Sequence, residues 1–197
     1  MDYTGCRALT DIEVENICSA FSGKYRLRDR AIFMLGIYTG FRISEILSLK
    51  IQDVLSGSRI RNSVTVQRAF MKGKKSGRTM PLHARAQSGI KEWIDSIAGM
   101  NSDGCSPLFP CQRTQKRLSP RTFWGNLKYA ASHAGVSTCG IGTHSMRKSF
   151  TSRLWSSELI GKDLAKMAKL LGHRDPANTL RYIQFLDNSL TDAVLSA

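Results

Sequence analysis

Arg42, His144, Arg147, His173 and Tyr182 are spread over most of a 197-residue chain. Together they offer the side-chain chemistry needed to cut a DNA phosphodiester without a metal. Such a reaction requires a nucleophile at phosphorus, stabilisation of the charge on the nonbridging oxygens, and a proton for the departing 5′ oxygen. Tyr182 can be the nucleophile. Its phenol, with a reference pKa of about 10, stays protonated at neutral pH and needs a nearby acceptor or positive field to react. Arg42 and Arg147 can clamp the phosphate, because arginine keeps its proton and its planar fork matches phosphate oxygens in a bidentate fashion. His144 and Arg147 stand three residues apart, which on a helix directs both toward one phosphate. His144 can then assist the tyrosine's proton, and His173 can hydrogen-bond a nonbridging oxygen.

These groups need a scaffold, and the sequence reads as mostly helical with one small β insertion. Thr10 followed by Glu13 predicts a capping box and a helix to about Phe21. A second helix is expected over Arg28 to Thr39, apolar on all sides from Ala31 to Tyr38 and therefore central. Gly40 breaks it, and Ile43, Ile46, Leu47 and Leu49 resume a helical stripe, which leaves Arg42 at a helix entrance. Strand-like residues on both sides of Lys72-Gly73-Lys74-Lys75-Ser76-Gly77 predict a β-hairpin over 62–82. Helices are expected at 84–98, 120–134 and 144–156, with an irregular connection at 99–110. Ser119 and Pro120 read as an N-cap and first turn. Leu164, Met167, Ala168 and Leu171 share one helix face, Gly172 stops that helix, and His173 lies in the tight joint before the helix that carries Tyr182.

Composition points to a polyanionic partner. Lys and Arg number 29 against 15 Asp and Glu, a formal net charge of +14, which concentrates phosphate backbones near the surface. With 42% hydrophobic residues, 197 positions suffice for one ordinary core and are read as one domain. No run reaches the ~20 apolar residues of a membrane helix, and no signal-peptide pattern opens the chain. A cytoplasmic, nucleoid-associated protein without membrane partners is the expectation. Cys6, Cys18, Cys105, Cys111 and Cys139 form no close pair, so reduced thiols are expected rather than disulfides or zinc.

The phrases Thr39-Gly40-Phe41-Arg42, Thr143-His144-Ser145-Met146-Arg147, Leu171-Gly172-His173 and Thr179-Leu180-Arg181-Tyr182 are individually weak. A lone tyrosine usually packs, and a lone Leu-Gly-His can be a helix stop with a surface histidine. In this order, with nine residues from His173 to Tyr182, they resemble the catalytic domain of the tyrosine recombinase, or phage integrase, family over nearly the whole chain. The resemblance implies a mainly α fold with a small antiparallel β-sheet (α+β). It also implies site-specific recombination through a covalent 3′-phosphotyrosine intermediate, with no metal and no ATP or other cofactor.

Residue by residue, the resemblance places Arg42, His144, Arg147, His173 and Tyr182 in the catalytic set, with Glu45 supporting Arg42. A hairpin lysine protonates the leaving 5′-hydroxyl. Lys72 is preferred by its distance before Arg78-Thr79-Met80-Pro81-Leu82, Lys74 comes next, and Lys75 also competes. Lys75, Arg78, Lys116, Arg117 and Arg121 are expected to grip DNA phosphates. The partner implied is double-stranded DNA, bound by a tetramer on two sites that forms from a monomer in free solution. Leu186, Leu190 and Val194 recur at four-residue steps, and 186–197 is the candidate tail exchanged between protomers. The N-terminal DNA-clamping domain of typical members is expected to be absent from 1–197. Two other classes fit fewer features: a type IB topoisomerase, and a catalytically silent DNA-binding regulator of the same fold. Target sequence, cleavage in cis or in trans, and the choice among integration, transposition, inversion and resolution stay open.

Overall fold

The computed structural model describes residues 5–67, 77–98, 103–157, 163–172 and 179–180. Helix α1 (Asp11–Ala20) starts where the capping box requires: the Thr10 hydroxyl accepts from the Glu13 N–H, and the Glu13 carboxylate accepts from the Thr10 N–H. Helix α2 (Arg26–Thr39) is the centre of the core. Ala31 through Ile37 are all buried, because α2 packs against α5 (Ala84–Ser96) and α7 (Thr143–Trp155), with α6 (Pro120–His133) also in contact. The sequence pattern had placed this helix two residues shorter at its start.

Two glycines decide how closely α2 approaches α7. A Cβ on Gly36 would lie 2.6 Å from Met146 Sδ, and one on Gly40 would lie 2.3 Å from Phe150 Cδ1. Gly40 also ends α2 in the left-handed conformation at φ 60°. Gly40→Ala therefore combines a strained backbone with overpacking and should cost roughly 2 to 5 kcal/mol. Gly57, at φ 58° with nothing within 4 Å of its Cβ position, is the matched control. Gly57→Ala should lose only the backbone share, about 1 to 2 kcal/mol. Equal urea midpoints for the two variants would contradict the packing argument.

After Gly40 the chain makes two short helices, α3 (Ile43–Ile46) and α4 (Ile51–Val54), and a two-residue hairpin of β1 (Leu55–Ser56) with β2 (Arg59–Ile60). The hairpin expected over 62–82 is present as β3 (Ser63–Val66) paired antiparallel with β4 (Arg78–Pro81), in the register Val66 opposite Arg78 and Val64 opposite Met80. The segment 68–76 between them, with Lys72, Lys74 and Lys75, lies outside the described residues. The connection after α5 is irregular as expected, but it is not merely solvated: Leu108 and Phe109 are fully buried, and Trp93 Nε1 donates to the Leu108 carbonyl at 2.7 Å. Trp124, by contrast, is 48% exposed. None of the five cysteines is in a disulfide.

Ser119 caps α6, and its hydroxyl accepts from the Thr122 N–H at 3.0 Å, with Pro120 in the first turn. Helix α8 (Leu164–Leu171) is capped at its start by Asp163 and ended by Gly172 at φ 64°. The candidate tail 186–197 lies outside the described residues. Among the described residues, no helix is long and apolar enough to cross a membrane.

Candidate active site

Arg42 caps the start of α3 in extended conformation, with φ −69° and ψ 152°. Its own backbone N–H donates to Glu45 Oε2 at 2.9 Å while its Nη1 donates to Glu45 Oε1 at 3.0 Å. The three-residue step from 42 to 45 thus lets one carboxylate close the helix entrance and aim the guanidinium. Glu45 is buried, whereas the Arg42 side chain keeps 36% of its surface exposed. The carboxylate is the anchor and the guanidinium faces outward.

Arg147, on the second turn of α7, is fully buried. Its Nη1 donates to the Gly40 carbonyl and its Nη2 to the Leu171 carbonyl at 2.6 Å. Gly40 lies two residues before Arg42, and Leu171 two residues before His173. One side chain therefore stitches together three of the sequence phrases that are far apart along the chain. The Leu171 carbonyl is available because the last carbonyls of a helix lack intrahelical partners, and the negative end of the α8 dipole suits a cation.

Arg78 meets the same carbonyl. Its Nη1 donates to Leu171 O at 2.9 Å and to Leu170 O at 3.1 Å, its Nη2 lies 3.5 Å from Glu45 Oε2, and its guanidinium stands 4.4 Å from the centre of the Phe41 ring. Expected among the DNA contacts, Arg78 is instead buried, with 8% of its surface exposed. The reason is strand alternation: β4 turns Arg78 and Met80 inward and Thr79 and Pro81 outward. Burial pushes the Arg78 pKa down to about 9, helped by the positive charges of Arg147 and Arg42 and opposed by Glu45. It remains charged at neutral pH.

His144, on the first turn of α7, stands at the edge of this cluster, open to solvent on one side and packed against protein on the other. The protein packed around its ring withdraws water, and Arg147, Arg42 and Lys148 add positive charge, so its pKa falls below the ordinary value of 6.5. At pH 7 the imidazole is neutral and can accept a proton. Among the described residues, Arg42 and Arg78 both pair with the buried Glu45 carboxylate, and Arg147 meets Arg78 at the Leu171 carbonyl. Among the described residues no three His, Cys, Asp or Glu side chains come together. The positive charge offered to an anion here comes from guanidinium groups.

Lys116 and Arg117 are exposed and border a cleft of about 260 Å³ together with Lys50 and Ser48, which follow α3. Lys50 was missed by the sequence reading, since an isolated lysine between two short helices carries no motif. Arg121 is exposed on the first turn of α6. His173, Tyr182, Lys72, Lys74 and Lys75 lie outside the described residues. His83 and His133 stand apart in structural settings: His83 caps α5 and stacks on Tyr38 at 4.3 Å, and His133 Nδ1 lies 3.0 Å from the Tyr129 carbonyl.

A family model described as the phage integrase family matches residues 7–189. Tyrosine recombinase XerD of Haemophilus ducreyi is 32% identical over 158 residues, covering 79% of this chain and 50% of the relative. Tyrosine recombinase XerA of Pyrococcus furiosus is 29% identical over 194 residues, covering 95% of this chain and 60% of the relative. The chain thus spans about half the length of the XerD relative. Among solved structures, that of XerA recombinase aligns with a TM-score of 0.74 at 23% identity, covering 98% of this chain and 66% of the other. The structure of XerH site-specific recombinase bound to a palindromic difH substrate, a post-cleavage complex, aligns with a TM-score of 0.73 at 26% identity, covering 95% and 52%.

Proposed function

This chain belongs to the phage integrase family, and we propose that it forms the catalytic part of a site-specific recombinase that cuts and rejoins DNA strands. The observation that carries the reading is the convergence of three arginines: Arg42 and Arg78 on the Glu45 carboxylate, and Arg78 and Arg147 on the Leu171 carbonyl. Guanidinium groups brought together in a partly dry site favour an anion such as a phosphate. The names of the XerD and XerA relatives and the DNA-bound XerH structure point to the same chemistry.

In this reading Tyr182 attacks phosphorus. A bond forms between its phenolic oxygen and phosphorus as the bond from phosphorus to the 5′ oxygen breaks. His144 takes the phenolic proton, and Lys72, with Lys74 as the alternative, gives a proton to the departing 5′ oxygen. Arg42, Arg147 and His173 stabilise the nonbridging oxygens, and Glu45 orients Arg42. The product is a 3′-phosphotyrosine, and attack by another strand's 5′-hydroxyl reverses the bonding, so rejoining needs no external energy source. Lys50, Lys75, Lys116, Arg117 and Arg121 hold the DNA backbone outside the reacting centre. Four copies assemble on two DNA sites from a monomer in free solution, with 186–197 exchanged between neighbours.

The test uses nicked duplexes made from DNA flanking the gene, with EDTA present. The expected result is a labelled protein–DNA adduct that survives denaturing electrophoresis, disappears with protease and yields phosphotyrosine on acid hydrolysis, with the modified peptide containing Tyr182. Binding in a gel shift without any adduct would refute the cleavage reading.

His144 gives the reaction a pH signature. Its depressed pKa keeps the proton-accepting form predominant at neutrality, so the acid limb of adduct formation under subsaturating conditions should be centred below pH 6.5. His144→Gln should remove that acid limb and slow cleavage by roughly 10²- to 10⁴-fold. An acid limb centred at or above 6.5, or one that persists in the variant, would assign the proton acceptor elsewhere.

A further inference from the structure

We infer that Arg78 is a positioning residue for strand cleavage, aiming Arg42 at the scissile phosphate through Glu45 while the α8 carbonyls hold Arg78 in place. The inference rests on the cleavage reading above and extends it to a residue that does not touch DNA. Arg78 faces inward with 8% of its surface exposed, and its guanidinium is engaged by the Leu170 and Leu171 carbonyls and by Glu45.

The connectivity runs in one line. Leu170 O and Leu171 O accept from Arg78 Nη1 at 3.1 and 2.9 Å, Arg78 Nη2 faces Glu45 Oε2 at 3.5 Å, and Glu45 Oε1 accepts from Arg42 Nη1 at 3.0 Å. The links to the carbonyls are short, the Arg78–Glu45 pair is longer but buried, and at the last link Arg42 opens to solvent. A guanidinium is suited to the middle of this line because its rigid fork can satisfy a carbonyl pair and a carboxylate at once. The Phe41 ring beneath it, 4.4 Å from the guanidinium carbon, holds the plane of that fork. Glu45 alone could swing between carboxylate rotamers, but with Arg78 on Oε2 and the Arg42 N–H sharing that oxygen at 2.9 Å, only Oε1 is left for Arg42 Nη1. The alternative, that Arg78 only fills the inward face of β4 beside Met80, leaves the directional contacts to Glu45 without a consequence.

The two roles separate in a double-mutant cycle measured by single-turnover adduct formation at saturating protein. Arg78→Met should slow cleavage by roughly 10- to 100-fold, the size of effect a small misplacement of a catalytic group produces, with DNA affinity within about threefold of wild type. In an Arg42→Ala background the same substitution should cost less than about threefold more, because the group it aims is gone. Losses that multiply in the double variant, or a loss carried by DNA affinity instead of rate, would overturn the inference. Arg78→Lys covers the case in which the methionine variant fails to fold by circular dichroism. Its single ammonium can serve Glu45 or the carbonyls but not both, so an intermediate rate is expected and a wild-type rate would also overturn it. Failure of the cleavage reading itself is visible separately, as the absence of any adduct from the wild-type protein.

Discussion

Arg147→Ala should slow strand cleavage severely and, unlike a variant of an exposed basic residue, should also weaken the fold. The buried side chain donates to the carbonyls of Gly40 and Leu171, so its removal leaves two acceptors short of donors and opens a cavity between α2, α7 and α8. Losses of this kind run to about 3 to 5 kcal/mol, a large part of the roughly 5 to 15 kcal/mol that holds a domain together. Urea denaturation reads the first effect. For the second, removal of a preorganised donor facing developing phosphate charge is expected to slow the reaction by roughly 10²- to 10³-fold or more. Arg147→Lys separates the two. Its charge survives, but one ammonium cannot span the Gly40 and Leu171 carbonyls as the guanidinium does, so stability should recover in part while cleavage stays at least about 10²-fold down. Gel shifts should show both variants still binding DNA with a steep salt dependence, because Lys50, Lys116, Arg117 and Arg121 are exposed and untouched. A lysine variant that cleaves at the wild-type rate would mean that Arg147 is a structural tie and no part of the phosphate clamp.

The same residue shows where sequence reasoning reaches and where it stops. Local signals were legible: the Thr10 and Glu13 capping box, the glycine stops at 40 and 172, and the alternation that gives the β3–β4 hairpin all depend on interactions within a few residues. The family resemblance gave Glu45 as the carboxylate supporting Arg42, and the two side chains pair at 3.0 Å. The two-residue strands β1 and β2 were not legible, since so short a pairing has no periodicity to detect. Nor was the partner of Arg78 across 33 positions, Glu45, because the spacing between distant elements is set by how α8 docks on the hairpin. One signal was available and unused. Arg78 falls in phase with Met80 on β4, and an arginine on the apolar face of a strand is more informative than one more charge in a basic loop. The 29 basic residues of the chain drew attention to charge, while the pleat of β4 decided that Arg78 faced inward.

Tyr182→Phe is expected to give no covalent adduct at any time of incubation, with DNA binding unchanged. This separates it in kind from the arginine variants, which should be slow yet finite. A clamp lowers the barrier to an attack that still has a nucleophile, whereas phenylalanine has no oxygen to bond to phosphorus. Mixing Tyr182→Phe with Arg147→Ala then asks whether one protomer supplies both groups. If it does, no mixed assembly contains an intact site and the adduct stays at the sum of the two separate levels. If a neighbour donates the tyrosine, some mixed sites join the wild-type Tyr182 of one protomer to the wild-type Arg147 of another, and adduct reappears at a fraction of the wild-type amount. The expected result is no complementation. Thr179 is fully buried, and three residues of chain reach at most about 11 Å, which bounds the distance of Tyr182 from that anchor. Complementation above the sum of the parts would show that this short tether leads the tyrosine outward to a neighbouring site.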